Sequence, residues 1–190
     1  MFKDFDTTII DKYLKNNFPQ ILEYSFDGLM LLIGGTIKDL IMGKNKSKDL
    51  DFTLITQKEG NVKEFIKKYK LNVIKEINDG YVIKYNNIYI SIKTLSCFCD
   101  AVHLNTDHLY YDIKRKQLIP IGIKYAIEKN IIIDYYYQGY YRPKKRIKKA
   151  KIFLNYLNHK KKSKVKYKYN RIYYLLRSFI KHPQKLFKGY

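Results

Sequence analysis

The tightest constraint on the fold is one ordered stretch. The apolar run Leu29 to Ile33 stops at Gly34-Gly35, and Asp49-Leu50-Asp51 follows after a helix-length segment and a polar loop. A short apolar run closed by a glycine pair reads as a buried strand entering a tight turn. Thr36 then stands where it would cap a short helix carrying Ile37, Leu40 and Ile41, stopped by Gly43. Lys44 to Lys48 is the polar loop. From Asp49 to Thr56, Leu50, Phe52 and Leu54 alternate with Asp49, Asp51 and Thr53, the pattern of a half-buried strand.

Residues two apart on a strand point the same way, so Asp49 and Asp51 present two carboxylates side by side at one edge of the sheet. Such a pair repels itself unless a cation lies between, and magnesium takes hard oxygen ligands while keeping positions open for substrate phosphates. The Gly34-Gly35 turn lets phosphate approach the backbone closely, and the N–H groups at the start of a helix favour anions. Either half alone is commonplace, since a lone Asp-x-Asp is usually a solvated strand edge and a lone Gly-Gly a turn. In this order they make a nucleotide-transfer site.

Around it the chain reads as a mixed α/β body. Thr8 to Leu14 and Asn61 to Tyr69 have helical spacing. Leu71 to Leu95 reads as strands joined by hairpin turns at Asn78-Asp79-Gly80 and Asn86-Asn87. His108 to Ile113 and Gln117 to Ile121 suggest another hairpin, with a short helix near Lys124 to Lys129. His103 and His108 near Asp107 fall in an expected strand and turn and read as surface or core histidines. Cys97 and Cys99 lie too close together for a disulfide framework and read as packing residues or free thiols. Asp112 and Asp134 have no partner that spacing identifies. Met1 to Asp11 holds three aspartates and no arginine, against a secretory signal or a mitochondrial presequence. No apolar run is long enough to span a bilayer, and the expectation is a cytoplasmic protein.

Charge is segregated. Of 38 Lys and Arg, eighteen lie in residues 141–190, where there is no Asp or Glu; all 17 acids lie between Asp4 and Asp134. The other twenty basic residues therefore exceed the acids by only three, although the formal net charge is +21. A Lys-, Asn-, Ile- and Tyr-rich composition is what an A+T-rich genome yields, but composition does not sort charge along a chain. A one-sign, tyrosine-interleaved third is the footprint of a polyanion partner. Pro143 stands where a helix begins, and Ile147, Ala150, Leu154 and Leu157 form a helical stripe. Lys160 to Lys168 reads as a lysine-rich connector. Ile172, Leu175, Leu176 and Phe179 form a second stripe, ended by His182-Pro183. The stripes read as core packing. Lys160, Lys161, Lys164, Lys166 and Arg171 are the candidate nucleic-acid-binding cations.

Gly34 to Phe52 resembles the head domain of class II tRNA nucleotidyltransferases (CCA-adding enzymes) and bacterial-type poly(A) polymerases. That pattern runs Gly-Gly-x-x-Arg-Asp, a helix ending in Gly, a loop, then Asp-x-Asp, with Lys38 here in place of the Arg. Weaker likeness extends over residues 25–157. Asp79-Gly80 and the strands after it resemble the hairpin before the ribose-binding motif, with Ser91 where the family often has a glutamate. Phe98-Cys99-Asp100 stands for its Arg-Arg-Asp, Arg142-Pro143-x-x-Arg146 for its base-reading Glu-Asp-x-x-Arg, and Arg146 to Phe153 for the start of its neck.

The resemblance implies an α+β fold, a polymerase-β-type nucleotidyltransferase domain over 1–139 followed by a basic helical extension over 140–190. It also implies that Asp49 and Asp51 are the catalytic residues and hold Mg²⁺. Gly34, Gly35 and Lys38 would hold the triphosphate, Asp100 the ribose and Arg146 the base or a phosphate, while Asp39 braces the turn. The substrates implied are a nucleoside triphosphate and an RNA 3′ end, such as tRNA, joined without a template. Because the chain stops where the family's body domain begins, a protein partner supplying that body is a further expectation. Two rival readings stand beside this one. One is a degenerate head domain kept as an RNA-binding or ribonucleoprotein subunit; the other is a nucleotidyltransferase modifying a protein or small molecule.

Overall fold

The computed structural model describes residues 6–44, 49–56, 61–95, 106, 109–134, 144–158 and 166–169, with residues 133–134, 144–146 and 166–169 described by backbone alone. The chain divides into two compact units, Met1–Val102 with Leu109–Ile121, and His103–His108 with Gly122–Tyr190.

The first unit opens with helices α1 (Thr8–Asn17) and α2 (Gln20–Glu23), then β1 (Leu29–Ile33), α3 (Gly35–Ile41), β2 (Asp49–Ile55) and α4 (Val62–Lys68). Strands β3 (Asn72–Ile77), β4 (Gly80–Tyr85), β5 (Ile88–Leu95), β6 (Tyr110–Asp112) and β7 (Gln117–Ile119) complete it. They form one seven-stranded mixed sheet in the order β3-β4-β5-β2-β1-β6-β7. Only β2 and β5 pair in parallel; every other neighbour in that sheet is antiparallel. The β4–β5 turn is set by sequence: Asn86 and Asn87 both take positive φ (46° and 63°), as a two-residue type I′ turn requires.

The two faces of this sheet differ. Leu32, Leu50, Phe52, Leu54, Ile83, Ile90 and Ile92 are all buried on one face. Helices α1 and α4 close that face. Phe18 at the end of α1 packs its ring 6.1 Å from Phe52 and 5.9 Å from Phe65 of α4. On the other face Leu31, Ile33 and Tyr110 make a small buried cluster, edged by Leu29, Ile55 and Ile119. Farther across that same face, on β4 and β5, Lys84, Tyr89 and Lys93 are exposed.

A polar clasp ties α1 to the β6–β7 hairpin. The Tyr111 hydroxyl donates to Asp11 Oδ1 at 2.7 Å, Lys116 Nζ lies 3.7 Å from Asp11 Oδ2, and the Thr7 hydroxyl donates to the Lys116 carbonyl. Burial, then the hydrogen bond to Asp11 and its charge, push the Tyr111 phenol far above the ordinary tyrosine range. The shift is upward, so the stabilisation is complete below the unfolded chain's value of about 10 and is lost as pH rises beyond it. Tyr111→Phe should cost about 1 kcal/mol at pH 7 in urea unfolding. The gap to the native protein should stay constant up to about pH 9 and narrow above pH 10.

The second unit holds α5 (Ile123–Lys129), β8 (Ile131–Asp134), α6 (Lys144–Leu157) and β9 (Lys166–Tyr169). Asn130 ends α5 in the left-handed conformation, and Asn158 after α6 donates its amide to the Asn130 side chain at 3.1 Å. Of the stripe expected from sequence, Ala150, Leu154 and Leu157 are buried along α6 and Ile147 is half-buried, while Phe153 is buried beside them. No helix among the described residues is long and apolar enough to cross a membrane.

Three local expectations need correction. Thr36 does not cap α3: Gly34 holds that position, and the Thr36 hydroxyl donates instead to the Asp49 carbonyl at 2.8 Å. Strand β2 is not half-buried along its length, because Thr53 is only 1% exposed. The connector expected over Lys160 to Lys168 gives way at Lys166 to β9, which pairs in parallel with β8. The second helical stripe, Ile172 to Phe179, lies outside the described residues, as do Cys97, Cys99, His103, Asp107 and His108.

Candidate active site

Strand β2 lies between β1 and β5, and its opening residues carry the carboxylates. Asp49 is exposed and Asp51 half-buried. Both belong to the face that α1 and α4 leave open, since the register sets Asp51 opposite Ile33 on β1 and beside Ser91 on β5. Asp49 stands beside Tyr89.

The glycine turn is bound to this pair through the sheet. β1 ends at Ile33, and Gly34 reverses the chain at φ 82°, ψ −143°, a conformation that strains any side chain. A Cβ at Gly34 would lie 3.3 Å from Asp51 Oδ2, so the bare backbone and the carboxylate abut. The Thr36–Asp49 hydrogen bond fixes the first turn of α3 to the start of β2. Around Gly35 the space is open, with nothing within 4 Å of where a Cβ would sit. Lys38 and Asp39 are half-buried on α3. The Asp39 carboxylate accepts from Lys44 Nζ at 2.8 Å and so braces the turn after the helix.

Two carboxylates on one face at the start of a central strand offer hard oxygens of the kind magnesium binds, with substrate and water left to complete its shell. The donor set therefore fits the ion expected from sequence. Among the described residues no group of three or more His, Cys, Asp or Glu is arranged to hold a metal. The neighbour that could have made a third carboxylate, beside Asp51, is Ser91.

Of the other candidates, Arg146 lies on α6 and Lys166 on β9, both in the second unit and described by backbone alone. Asp100, Lys160, Lys161, Lys164 and Arg171 lie outside the described residues. Asp112, for which spacing identified no partner, has partners two and three residues on, at Lys114 and Arg115. Its side chain is 1% exposed and accepts backbone N–H bonds from Lys114 and Arg115, both at 3.0 Å, so it shapes the β6–β7 turn. The available signal was an aspartate two residues ahead of a polar turn. Tyr89 was missed, because its place beside Asp49 depends on a parallel pairing that no local pattern reveals.

No family model matches the chain, and no curated protein matches its sequence. Solved structures do. The structure is similar to CCA-adding enzymes over their head-domain portion. A CCA-adding enzyme in an apo form has a TM-score of 0.49 and 16% identity, covering 98% of this chain and 45% of its own. The Thermotoga maritima CCA-adding enzyme complexed with tRNA gives 0.46 and 18%, covering 67% and 33%. A tRNA nucleotidyltransferase complexed with a primer tRNA and an incoming ATP analogue gives 0.41 and 17%, covering 55% and 34%. This chain thus spans between a third and a half of the length of these proteins.

Gly34→Ala should be damaging on two counts. The backbone strain costs about 1–3 kcal/mol, and the new methyl displaces the Asp51 carboxylate. Thermal unfolding should show the first effect. Mg²⁺ titration of any metal-dependent activity should show the second, as a weakened midpoint.

Proposed function

We propose that the chain is an RNA nucleotidyltransferase that joins a nucleoside monophosphate, taken from a nucleoside triphosphate, to an RNA 3′ end without a template. The observation that carries this reading is the abutment of the Gly34 backbone on the Asp51 carboxylate, with Asp49 on the same open sheet face. A phosphate-tolerant turn and a cation-binding pair are thereby held together by β-sheet register rather than by a loose loop. In this reading the fold is of the polymerase-β type, and residues 140–190 are the RNA-binding extension.

The reaction forms a bond between the RNA 3′-oxygen and the α-phosphorus, breaks the bond to the β-phosphate and releases pyrophosphate. Asp49 and Asp51 supply the oxygens that would hold Mg²⁺. The ion, when bound, would favour the ionised 3′-hydroxyl and offset charge on the leaving group. Gly34 and Gly35 let the triphosphate lie against the main chain. Lys38 adds a point charge without the forked geometry of an arginine. Asp100 and Arg146 are proposed for the ribose and for the base or a phosphate.

Ser91 beside Asp51 favours one second reading, a head domain that keeps RNA binding but has lost transfer. One experiment separates the two. The purified chain is incubated with Mg²⁺, each labelled NTP in turn, and a pool of short RNAs and tRNA. Metal-dependent extension is expected, and the NTP used defines the base added. Absence of extension, with tight and salt-sensitive RNA binding, would replace the transferase with the binding subunit.

A further inference from the structure

Strands β4 and β5 bury one face and expose the other, while β3 at the sheet's edge is exposed on both. Ile83, Ile90 and Ile92 are fully buried on the helix-covered face. The other face carries Lys75 on β3, Lys84 on β4, and Tyr89, Ser91 and Lys93 on β5, placed together by the pairs Lys75↔Val82, Lys84↔Tyr89 and Val82↔Ser91. All three lysines are exposed, and the Tyr89 ring is on a residue 52% exposed. The one acid on these strands, Glu76, pairs with Tyr81 on the opposite face, where it is exposed and accepts from the Tyr81 hydroxyl at 3.2 Å. Tyr89 is a large aromatic at the solvent surface, with Lys84 beside it on β4 and Asp49 beside it on β2. The face continues without a break into the carboxylate pair, since Tyr89 adjoins Asp49 and Ser91 adjoins Asp51 in the parallel register.

We propose that this face is the track for the single-stranded 3′ end of the RNA. A base stacks on Tyr89, the preceding phosphates lie on Lys84, Lys93 and Lys75, and the terminal hydroxyl is delivered to Asp49 and Asp51. The inference rests on the transferase reading for its direction, though the binding surface does not. Neighbouring strands are about 4.8 Å apart, so β2 to β3 spans about 14 Å, enough for the last few nucleotides. Charge complementarity selects a polyanion, and an exposed tyrosine selects one with bases, because stacking on an aromatic face is indifferent to sequence. The residues of the track are separate in sequence from the basic segment after residue 140.

The test uses the full chain. An oligoribonucleotide with a photoreactive thiouridine as its last base is cross-linked, and the adduct is mapped by peptide mass spectrometry. Attachment within residues 80–95 is expected; attachment confined to residues 141–190 overturns the track. In titrations with the same RNA, Tyr89→Ala should weaken binding about tenfold while Tyr89→Phe stays within about twofold. Lys84→Ala with Lys93→Ala should lower the salt slope by about one to two units. These side chains are exposed, so unchanged melting temperatures are expected and keep the comparison clean. Equal competition by polyglutamate and by RNA would overturn the assignment, since polyglutamate has no bases to stack. Cross-linking at Tyr89 without any extension removes the transferase reading and leaves the track standing. Extension by a Tyr89→Ala variant with an unchanged KM for RNA removes the track and leaves the transferase.

Discussion

Replacing Asp49 and Asp51 together by asparagine should abolish nucleotide transfer, lowering kcat/KM by at least about a thousandfold, or about 4 kcal/mol in the transition state. Each single replacement should cost nearly as much as both. The two carboxylates share one face and one expected ion, and groups that act as a unit give strongly non-additive losses. Asparagine keeps the size and an oxygen acceptor but removes the charge, so the loss would report charge rather than shape. The fold should survive, because Asp49 is exposed, Asp51 is only half-buried, and asparagine keeps the size of each side chain. Melting temperatures within a few degrees of the native protein would therefore accompany an inactive site. Transfer retained within about tenfold by the double variant would remove these aspartates from the chemistry.

Gly35 offers a complementary check, because its surroundings separate folding from binding. A methyl group there meets nothing within 4 Å, so Gly35→Ala should fold at least as stably as the native chain. Only a ligand would notice it. A raised KM for the triphosphate, with the KM for RNA unmoved, is the result expected if phosphate rests on that backbone.

How far the sequence revealed these features depended on the range of the interaction. The strand–turn–helix from Leu29 to Ile41 was readable because its signals are local: an apolar run, a glycine pair and a helical stripe within a few residues. The Asn86-Asn87 hairpin was readable for the same reason. Thr36 was misjudged because a threonine at a helix start looks like a cap, whereas its hydroxyl is taken by the Asp49 carbonyl across the next strand. Thr53 was misjudged because alternation predicts a wet face along the whole strand, whereas Thr53 pairs with Leu31, part of the small core cluster on that face. The partnership of Asp49 with Tyr89, and of Asp51 with Ser91, joins strands separated by α4 and the β3–β4 hairpin. Register between such distant strands is decided by packing of the whole sheet, which no window of sequence contains. The carboxylates could thus be named from sequence, while the surface beside them could not.

The same sheet makes Phe18→Ala the most damaging single change expected for stability. Phe18 is fully buried, and its ring centroid lies 6.1 Å from Phe52, 5.9 Å from Phe65 and 5.4 Å from Tyr85. One side chain therefore joins the end of α1 to β2, α4 and β4. Truncation removes the buried surface of the ring and leaves a cavity whose lining belongs to four elements that cannot all move in together. A cost of about 3–5 kcal/mol follows, a large share of the 5–15 kcal/mol that holds a typical domain. Urea unfolding should show a lower midpoint with an unchanged slope if the native state stays compact. Phe18→Leu should recover more than half of the loss, because it refills most of the volume without the ring contacts. Phe52 lies one residue beyond Asp51 on β2, with its ring on the covered face while the carboxylate is on the open one. A loosened Phe18 site should therefore reach the chemistry, weakening Mg²⁺ dependence at temperatures well below the unfolding transition. Full activity in a Phe18→Ala protein that has lost several kcal/mol would show instead that β2 is held in place by its strand neighbours alone.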